Sequence, residues 1–262
     1  MLHLDHLSYS SVCSYLACPR GWKFHYVDQV EVPTAGALAF GSAYHETVGA
    51  YTINCVADPK NVVPLADIWP IKWREQIEQR GRIAWGNDTM EGLLEMGLRI
   101  LRNKDIQREI DGISPLLDAT GAPRIEEFIS LQVPGVPIPI IGYVDLITDD
   151  GIPCDIKTAT RAWSKDRPGQ ETQPTFYLAA LNQAGYDLNP DMRFRYYVFT
   201  KSKTPKVQVL ETRRAPGDLV WLLGMVRDVW SAIKAGEFPP NPTTWKCDPR
   251  YCDYWDICRG GK

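Results

Sequence analysis

Two short apolar segments on either side of Asp149-Asp150-Gly151 constrain this chain more than any other feature. Residues 138–148 (IPIIGYVDLIT) and 152–158 (IPCDIKT) are rich in β-branched side chains and meet at a turn-forming tripeptide, the pattern of a β-hairpin. Side chains alternate faces along a strand, so Asp155 and Lys157 share one face while Cys154 and Ile156 enter the other layer. Asp145 joins them only if strand pairing sets it opposite Asp155. A three-residue loop with Gly151 in the left-handed conformation achieves that pairing. A two-residue loop would turn Asp145 to the opposite face.

Two carboxylates and a lysine on one sheet face suit phosphodiester hydrolysis. Hard oxygen ligands select Mg²⁺ or Mn²⁺, which take their remaining ligands from water and from substrate phosphate. The metal polarises a phosphoryl oxygen and activates water, and Lys157 orients or deprotonates that water and offsets charge in the transition state. Taken alone, the same D-x-K hairpin is equally compatible with a solvated surface turn, so its meaning depends on what accompanies it.

Upstream, Phe40-Gly41-Ser42-Ala43-Tyr44-His45-Glu46 reads as a loop entering an apolar-periodic stretch that runs to about Cys55, with His45 in the first turns of a helix. Downstream, Gln173-Pro174-Thr175-Phe176-Tyr177 opens another helical stretch, where the i, i+4 spacing sets Gln173 and Tyr177 on one face. Either motif by itself also fits ordinary packing. Their order does more: G-x-x-x-H, an acidic strand, G-x-x-D, D-x-K and Q-x-x-x-Y together resemble the RecB-type branch of the PD-(D/E)XK nucleases, over roughly residues 7–258.

That resemblance implies metal binding by His45, Asp145 and Asp155, water activation by Lys157, and a DNA-facing role for Gln173 and Tyr177. It also implies an additional acid on the preceding strand. Arg124-Ile125-Glu126-Glu127-Phe128 offers two, of which Glu126 is favoured as the metal ligand.

The cysteines are a second signal. Seven are present, in a chain with no signal-peptide pattern and no transmembrane run. A reducing cytoplasmic setting without membrane partners is therefore expected, and a disulfide framework is not. Cys247-x4-Cys252-x5-Cys258 falls in a turn-rich tail after Phe238-Pro239-Pro240-Asn241-Pro242, and three clustered thiols call for a fourth ligand. Cys18 is the natural one, because Pro19 sets a sharp boundary after a short helix at residues 10–17, while Cys13 is its rival. A four-thiolate zinc site is one reading.

One distant cysteine followed by a C-terminal triplet also resembles the iron-sulfur subgroup of the RecB-type nucleases. That subgroup includes the AddB nuclease domain and the CRISPR-associated iron-sulfur exonucleases. Its tail often reads C-x2-C-x5-C, whereas four residues fill the first gap here. The resemblance implies a 4Fe-4S cluster on Cys18, Cys247, Cys252 and Cys258, acting as a clasp whose binding energy becomes folding energy. Cys55 and Cys154 fall on apolar stretches and read as core residues.

Composition sets the outer limits. A length of 262 residues, 44% of them hydrophobic and 23% charged, suits one sizeable core with a lobe. The net charge of -3 gives no global attraction to nucleic acid, so contacts with DNA must come from local patches. Arg161, Trp163, Lys165 and Arg167 form one such patch, with an aromatic among cations that could stack a base. Lys201, Lys203 and Lys206 form another. No G-x-x-x-x-G-K-[ST] phosphate loop occurs, which excludes a P-loop motor.

The expected architecture is α/β, a PD-(D/E)XK core whose mixed sheet is flanked by helices, arranged as a single nuclease domain. Residues 1–57 supply the cysteine and histidine helices, 58–123 a helical lobe, 124–236 the catalytic sheet and 237–262 the cluster tail. Proline-containing breaks are expected at 57–70 and 111–123. A helix is expected from about 69 to 102, with Gly81, Gly86 and Gly92 as possible interruptions. Strands are expected at 125–133, 138–148, 152–158 and 193–201, and helices at 170–184 and 216–235.

The implied activity is a DNA exonuclease acting on single strands or ends, in recombination, repair or CRISPR-type processing with partner proteins of those systems. The alternatives are a structure-selective endonuclease, a non-catalytic DNA-binding or assembly module, and a zinc-stabilised structural protein with incidental acids.

Overall fold

A computed structural model describes residues 4–186 and 191–260. In chain order it begins with β1 (Leu7–Ser8), α1 (Tyr9–Ala17), α2 (Pro19–Tyr26), β2 (Thr34–Ala35), α3 (Gly36–Ala57), α4 (Leu65–Arg80) and β3 (Ile83–Ala84). Next come α5 (Met90–Leu101), α6 (Lys104–Asp111), β4 (Ile125–Leu131), β5 (Ile140–Ile147) and β6 (Pro153–Ala159). The remaining elements are α7 (Arg167–Gln170), α8 (Gln173–Gln183), β7 (Arg193–Thr200), β8 (Val207–Arg213), α9 (Pro216–Ala235) and α10 (Trp255–Arg259). The chain is α/β, with a mixed sheet flanked by helices. It divides into two compact units, one of residues 1–32, 129–142 and 215–262, the other of residues 33–128 and 143–214.

In the second unit, β5 and β6 are antiparallel, β6 and β7 parallel, and β7 and β8 antiparallel, with β4 paired to β5. The parallel register sets Asp155 beside Tyr196 and Lys157 beside Val198. One sheet face, carrying Leu146, Cys154, Ile156, Tyr197 and Phe199, is covered by apolar residues of the helices between α3 and α6. Phe40, Tyr44, Trp69 and Trp73 form an aromatic layer there; Phe40 lies 5.1 Å from Trp69, and Tyr44 5.1 Å from Phe199. The other face carries Phe194 and Tyr196, with Tyr177 of α8 at 5.8 Å from Phe194. Burial of this much aromatic surface on both faces fixes the sheet as a rigid platform.

Gly97 is a close-approach position. A Cβ there would lie 2.1 Å from Cε2 of Trp69, whose indole Nε1 donates to the Leu94 carbonyl at 2.9 Å. The absent side chain lets α4 and α5 meet through a tryptophan ring.

In the first unit, β1 pairs in parallel with the opening residues of β5, Leu7 with Ile140 and Ser8 with Ile141. Ser8 and Ser11 cap α1 reciprocally, satisfying two otherwise unpaired amides. The polypeptide after α9 is tied to α1 and α2. Trp22, fully buried, stacks on Phe238 with centroids 5.7 Å apart. Arg20 Nε donates to the Phe238 carbonyl at 2.8 Å, the Tyr15 hydroxyl to the Glu237 carbonyl at 2.5 Å, and the Asn241 amide to the Ala17 carbonyl at 3.0 Å.

Several sequence expectations are corrected. The segment 40–46 is helix and not loop, because α3 already begins at Gly36; three alanines among residues 36–43 favour helix enough to carry the glycines. The break expected at 57–70 is confined to 58–64, and α4 continues through Pro70. The lost amide bond falls in the second turn, where Trp69 and Trp73 are buried on either side. No single helix runs from 69 to 102: α4 ends before Gly81, which has φ +65, whereas Gly92 lies inside α5 with its amide capped by Thr89. Strand β8 and the helices α2 and α10 add to the expected set; Pro19 starts a new helix, since its missing N–H costs nothing at N1.

Candidate metal centre and cysteine cluster

The hairpin between β5 and β6 closes with the three-residue loop. Leu146 pairs with Cys154 and Ile147 with Pro153, the Thr148 amide donates to the Ile152 carbonyl at 3.0 Å, and Gly151 has φ +73. Asp150 is held by the Thr148 hydroxyl at 2.6 Å and by Arg195 at 2.9 Å. The same count brings Asp145 opposite Asp155. Beyond Leu146 the carboxylate of Asp145 takes over from the backbone, with Oδ2 accepting the Ile156 amide at 2.7 Å.

Asp155 is 2% exposed. Its Oδ1 accepts from the Gln173 side-chain amide at 2.7 Å, and Gln173 also donates to the Tyr177 hydroxyl at 3.0 Å. Gln173 and Tyr177 thus project together from the first turns of α8, as their spacing implies. Oδ2 of Asp155 lies 2.7 Å from Lys157 Nζ but at an angle that makes no hydrogen bond, leaving a buried acceptor oxygen without a hydrogen-bond partner. Burial would lower the Lys157 pKa, but Asp155 and Asp145 outweigh it and raise the value, so Lys157 is held as an ammonium.

His45 and Glu126 complete the centre. One imidazole nitrogen of His45 contacts the Glu126 carboxylate, and the other lies 3.8 Å from Oδ1 of Asp145. Glu126 adopts φ +54, a backbone state unusual for a non-glycine residue and concentrated at functional sites. Its neighbour Glu127 is engaged elsewhere, accepting from Arg124 at 2.9 Å and from the Tyr186 hydroxyl. Burial lowers the His45 pKa, but the hydrogen bond that the ring donates to Glu126 and the charges of Asp145, Glu126 and Asp155 carry it up to about 9. Asp145 is shifted upward, first by burial and then by the charge of Asp155. Both shifts are upward, the sign expected where acidic groups crowd one site, and a bound cation relieves that condition.

Ligand atoms of His45, Glu126 and Asp145 lie within 4.8 Å of one another. One imidazole and two carboxylates form a hard donor set suited to Mg²⁺ or Mn²⁺, and the buried carboxylate of Asp155, ion-paired with Lys157, lies beside it. The residues therefore fit a divalent metal.

The basic patch after β6 behaves otherwise. Trp163 is 8% exposed, packs 5.1 Å from Tyr196, and is covered by the Arg167 guanidinium at 4.2 Å. It is part of the core and presents no face to a base, which corrects the stacking role expected for it. Arg161 and Lys165 are exposed on the same loop.

The cysteine cluster belongs to the first unit. Cys18 joins α1 to α2, Cys258 lies on α10, and Cys247 and Cys252 occupy the turns before it. All seven cysteines are free thiols. Burial raises the Cys252 thiol pKa, and after the opposing hydrogen bond from the Tyr254 backbone come the charges of Cys18, Cys247 and Cys258. Cys18, Cys247 and Cys258 are thus near enough to Cys252 for their charges to act on it. Arg259 donates to the Cys247 sulfur at 3.6 Å. Cys154 is buried, with burial pushing its thiol up to about 12.

A mixed sheet presenting a histidine, three acids and a lysine at one point defines a class of metal-dependent phosphodiester-cleaving folds. The family model described as the PD-(D/E)XK nuclease superfamily matches residues 6–259, and the chain belongs to that superfamily. A solved structure from Eubacterium rectale, described as a "Putative exonuclease", is similar with a TM-score of 0.57 and 13% identity, covering 98% of this chain and 88% of that one; at this identity the likeness concerns the fold. Among curated proteins none matches. No helix among the described residues is long and apolar enough to cross a membrane.

Proposed function

We propose that the protein is a Mg²⁺- or Mn²⁺-dependent deoxyribonuclease, an exonuclease acting on single strands or DNA ends. The carrying observation is the convergence of His45, Glu126 and Asp145 within 4.8 Å of one another, with the Asp155–Lys157 pair alongside. A bound divalent metal supplies Lewis-acid polarisation of the phosphoryl oxygen. His45, Glu126, Asp145 and Asp155 hold it. Lys157, kept charged by Asp155, orients the attacking water and offsets the charge that develops on phosphate. Gln173 fixes the Asp155 carboxylate, and Tyr177 fixes Gln173.

The end preference is supported by the resemblance to RecB-type enzymes and by the "Putative exonuclease" description of the Eubacterium rectale protein; a role in recombination, repair or CRISPR-type processing rests on the resemblance alone. Cys18, Cys247, Cys252 and Cys258 bind a 4Fe-4S cluster in this reading, supported by four free thiols, three of which act electrostatically on Cys252, and by an arginine directed at one sulfur. Zinc uses the same ligand set.

Cleavage of end-labelled single-stranded, duplex and covalently closed circular DNA with Mg²⁺, Mn²⁺ or EDTA tests the proposal, with Lys157→Ala as control. Metal-dependent loss of linear DNA that the variant cannot perform supports it. Cleavage of closed circles would indicate an endonuclease, and inactivity of protein with a full metal complement would reject the catalytic reading. Iron and zinc analysis of the same preparation decides the cluster.

A further inference from the structure

We infer that Phe128 and Tyr143 form a stacking platform for an unpaired nucleobase of the strand being cut. The inference rests on the nuclease reading and specifies how that site engages its substrate. Phe128 is 53% and Tyr143 51% exposed, and their rings meet edge to face with centroids 5.5 Å apart. Large aromatic side chains are costly to leave in water, and the other rings on strands of this unit are buried. The pair departs from that rule where the acids converge.

Tyr143 precedes Asp145 by two positions on β5, so it shares the Asp145 face at roughly 7 Å along the strand. Phe128 follows Glu126 by two positions on β4 and packs against Tyr143. The Tyr143 ring is thus one strand step from the Asp145 carboxylate, a distance that one nucleotide spans, and Phe128 extends the platform through its contact with Tyr143. An edge-to-face pair keeps a ring face open to solvent.

The local charge argues for the occupant. Glu126, Asp145 and Asp155 repel a phosphate backbone except where a cation is held. Affinity beside the cation must come from contacts that carry no charge, and base-on-ring stacking is such a contact. A paired base has both faces covered within the duplex, so the platform selects single strands or frayed ends. Both residues stand on strands and not on a loop, so their order is established before binding. Trp163, the aromatic that the sequence offered for this role, is enclosed in the core.

The test uses the whole chain and compares wild type with the Phe128→Ala/Tyr143→Ala double variant. Binding of a fluorescent oligothymidylate is measured in Ca²⁺, against an oligonucleotide of equal length built of abasic sites. Wild type is expected to bind the base-bearing strand about ten-fold more tightly than the abasic one, and the double variant to bind both alike. Tyr143→Trp should restore the preference and show fluorescence quenching on binding. Equal preference in wild type and double variant overturns the platform, whether or not DNA is cleaved. If wild type discriminates and the variant does not, yet neither cleaves with Mg²⁺ or Mn²⁺, the platform stands and the catalytic reading falls.

Discussion

Oδ2 of Asp145 accepts the backbone amide of Ile156 at 2.7 Å. The carboxylate thereby does two things at once: it completes the junction of β5 and β6 where ladder pairing stops, and it leaves Oδ1 directed toward His45, 3.8 Å away.

This arrangement separates folding from metal binding at one residue. Asp145→Asn keeps an acceptor for the Ile156 amide and removes the charge. The variant is expected to fold within about 1 kcal/mol of wild type while cleavage falls by about 10²-fold or more. Thermal denaturation with and without Mn²⁺ checks it: the metal should raise the Tm of wild type and leave that of the variant unmoved.

Gly97 has no room for a side chain, since its Cβ would overlap Trp69 at 2.1 Å. Gly97→Ala is expected to destabilise the protein by about 1–3 kcal/mol, read from the midpoint of urea denaturation. Conservation of the denaturation slope would place the effect in the folded state.

Trp163 and Tyr143 should respond in opposite ways. Trp163→Leu leaves a void beside Tyr196, and a loss of about 2 kcal/mol is expected, with KM for single-stranded DNA unchanged. Exposed Tyr143→Ala should cost under about 0.5 kcal/mol and raise KM. Parallel denaturation and steady-state kinetics on the two variants would reveal the crossing.

The cysteine cluster should be independent of the acids. Cys258→Ser is expected to lower both bound metal and Tm, because site-binding energy contributes to folding. Asp155→Ala should retain the full metal content of the thiolate site. Elemental analysis together with absorption spectroscopy distinguishes the two, and loss of thiolate-bound metal in Asp155→Ala would show the centres to be coupled.

The hairpin was legible because local chemistry determines it. Gly151 dictates the loop, the loop dictates the pairing, and strand alternation then assigns Asp145, Asp155 and Lys157 to one face. Gln173 and Tyr177 were legible for the same reason, as neighbours one helical turn apart. The start of α3 was not, because a run of alanine, glycine and serine looks alike in a loop and in a helix packed on a sheet. Trp163 was misread since composition shows its cationic neighbours but not the cavity under Tyr196. Phe128 and Tyr143 were overlooked, although each stands two places from an acid; alternation could have singled them out, but their exposure depends on tertiary structure. Glu126 was already favoured over Glu127 from the sequence, and the structure sets Glu126 beside His45 while Glu127 turns to Arg124 and Tyr186.

The unit that carries Cys18, Cys247, Cys252 and Cys258 is discontinuous, with its segments on either side of residues 33–128 and 143–214. A ribosome therefore delivers every residue of the acid-histidine centre before the first of Cys247, Cys252 and Cys258 emerges. Cys18, made first, cannot meet those three thiols until the residues between 18 and 247 have followed it. A metal held by all four thiols would therefore be acquired only after residues 33–214 have been made, and a message interrupted after residue 214 would encode His45, Glu126, Asp145, Asp155 and Lys157 without three of the four thiols.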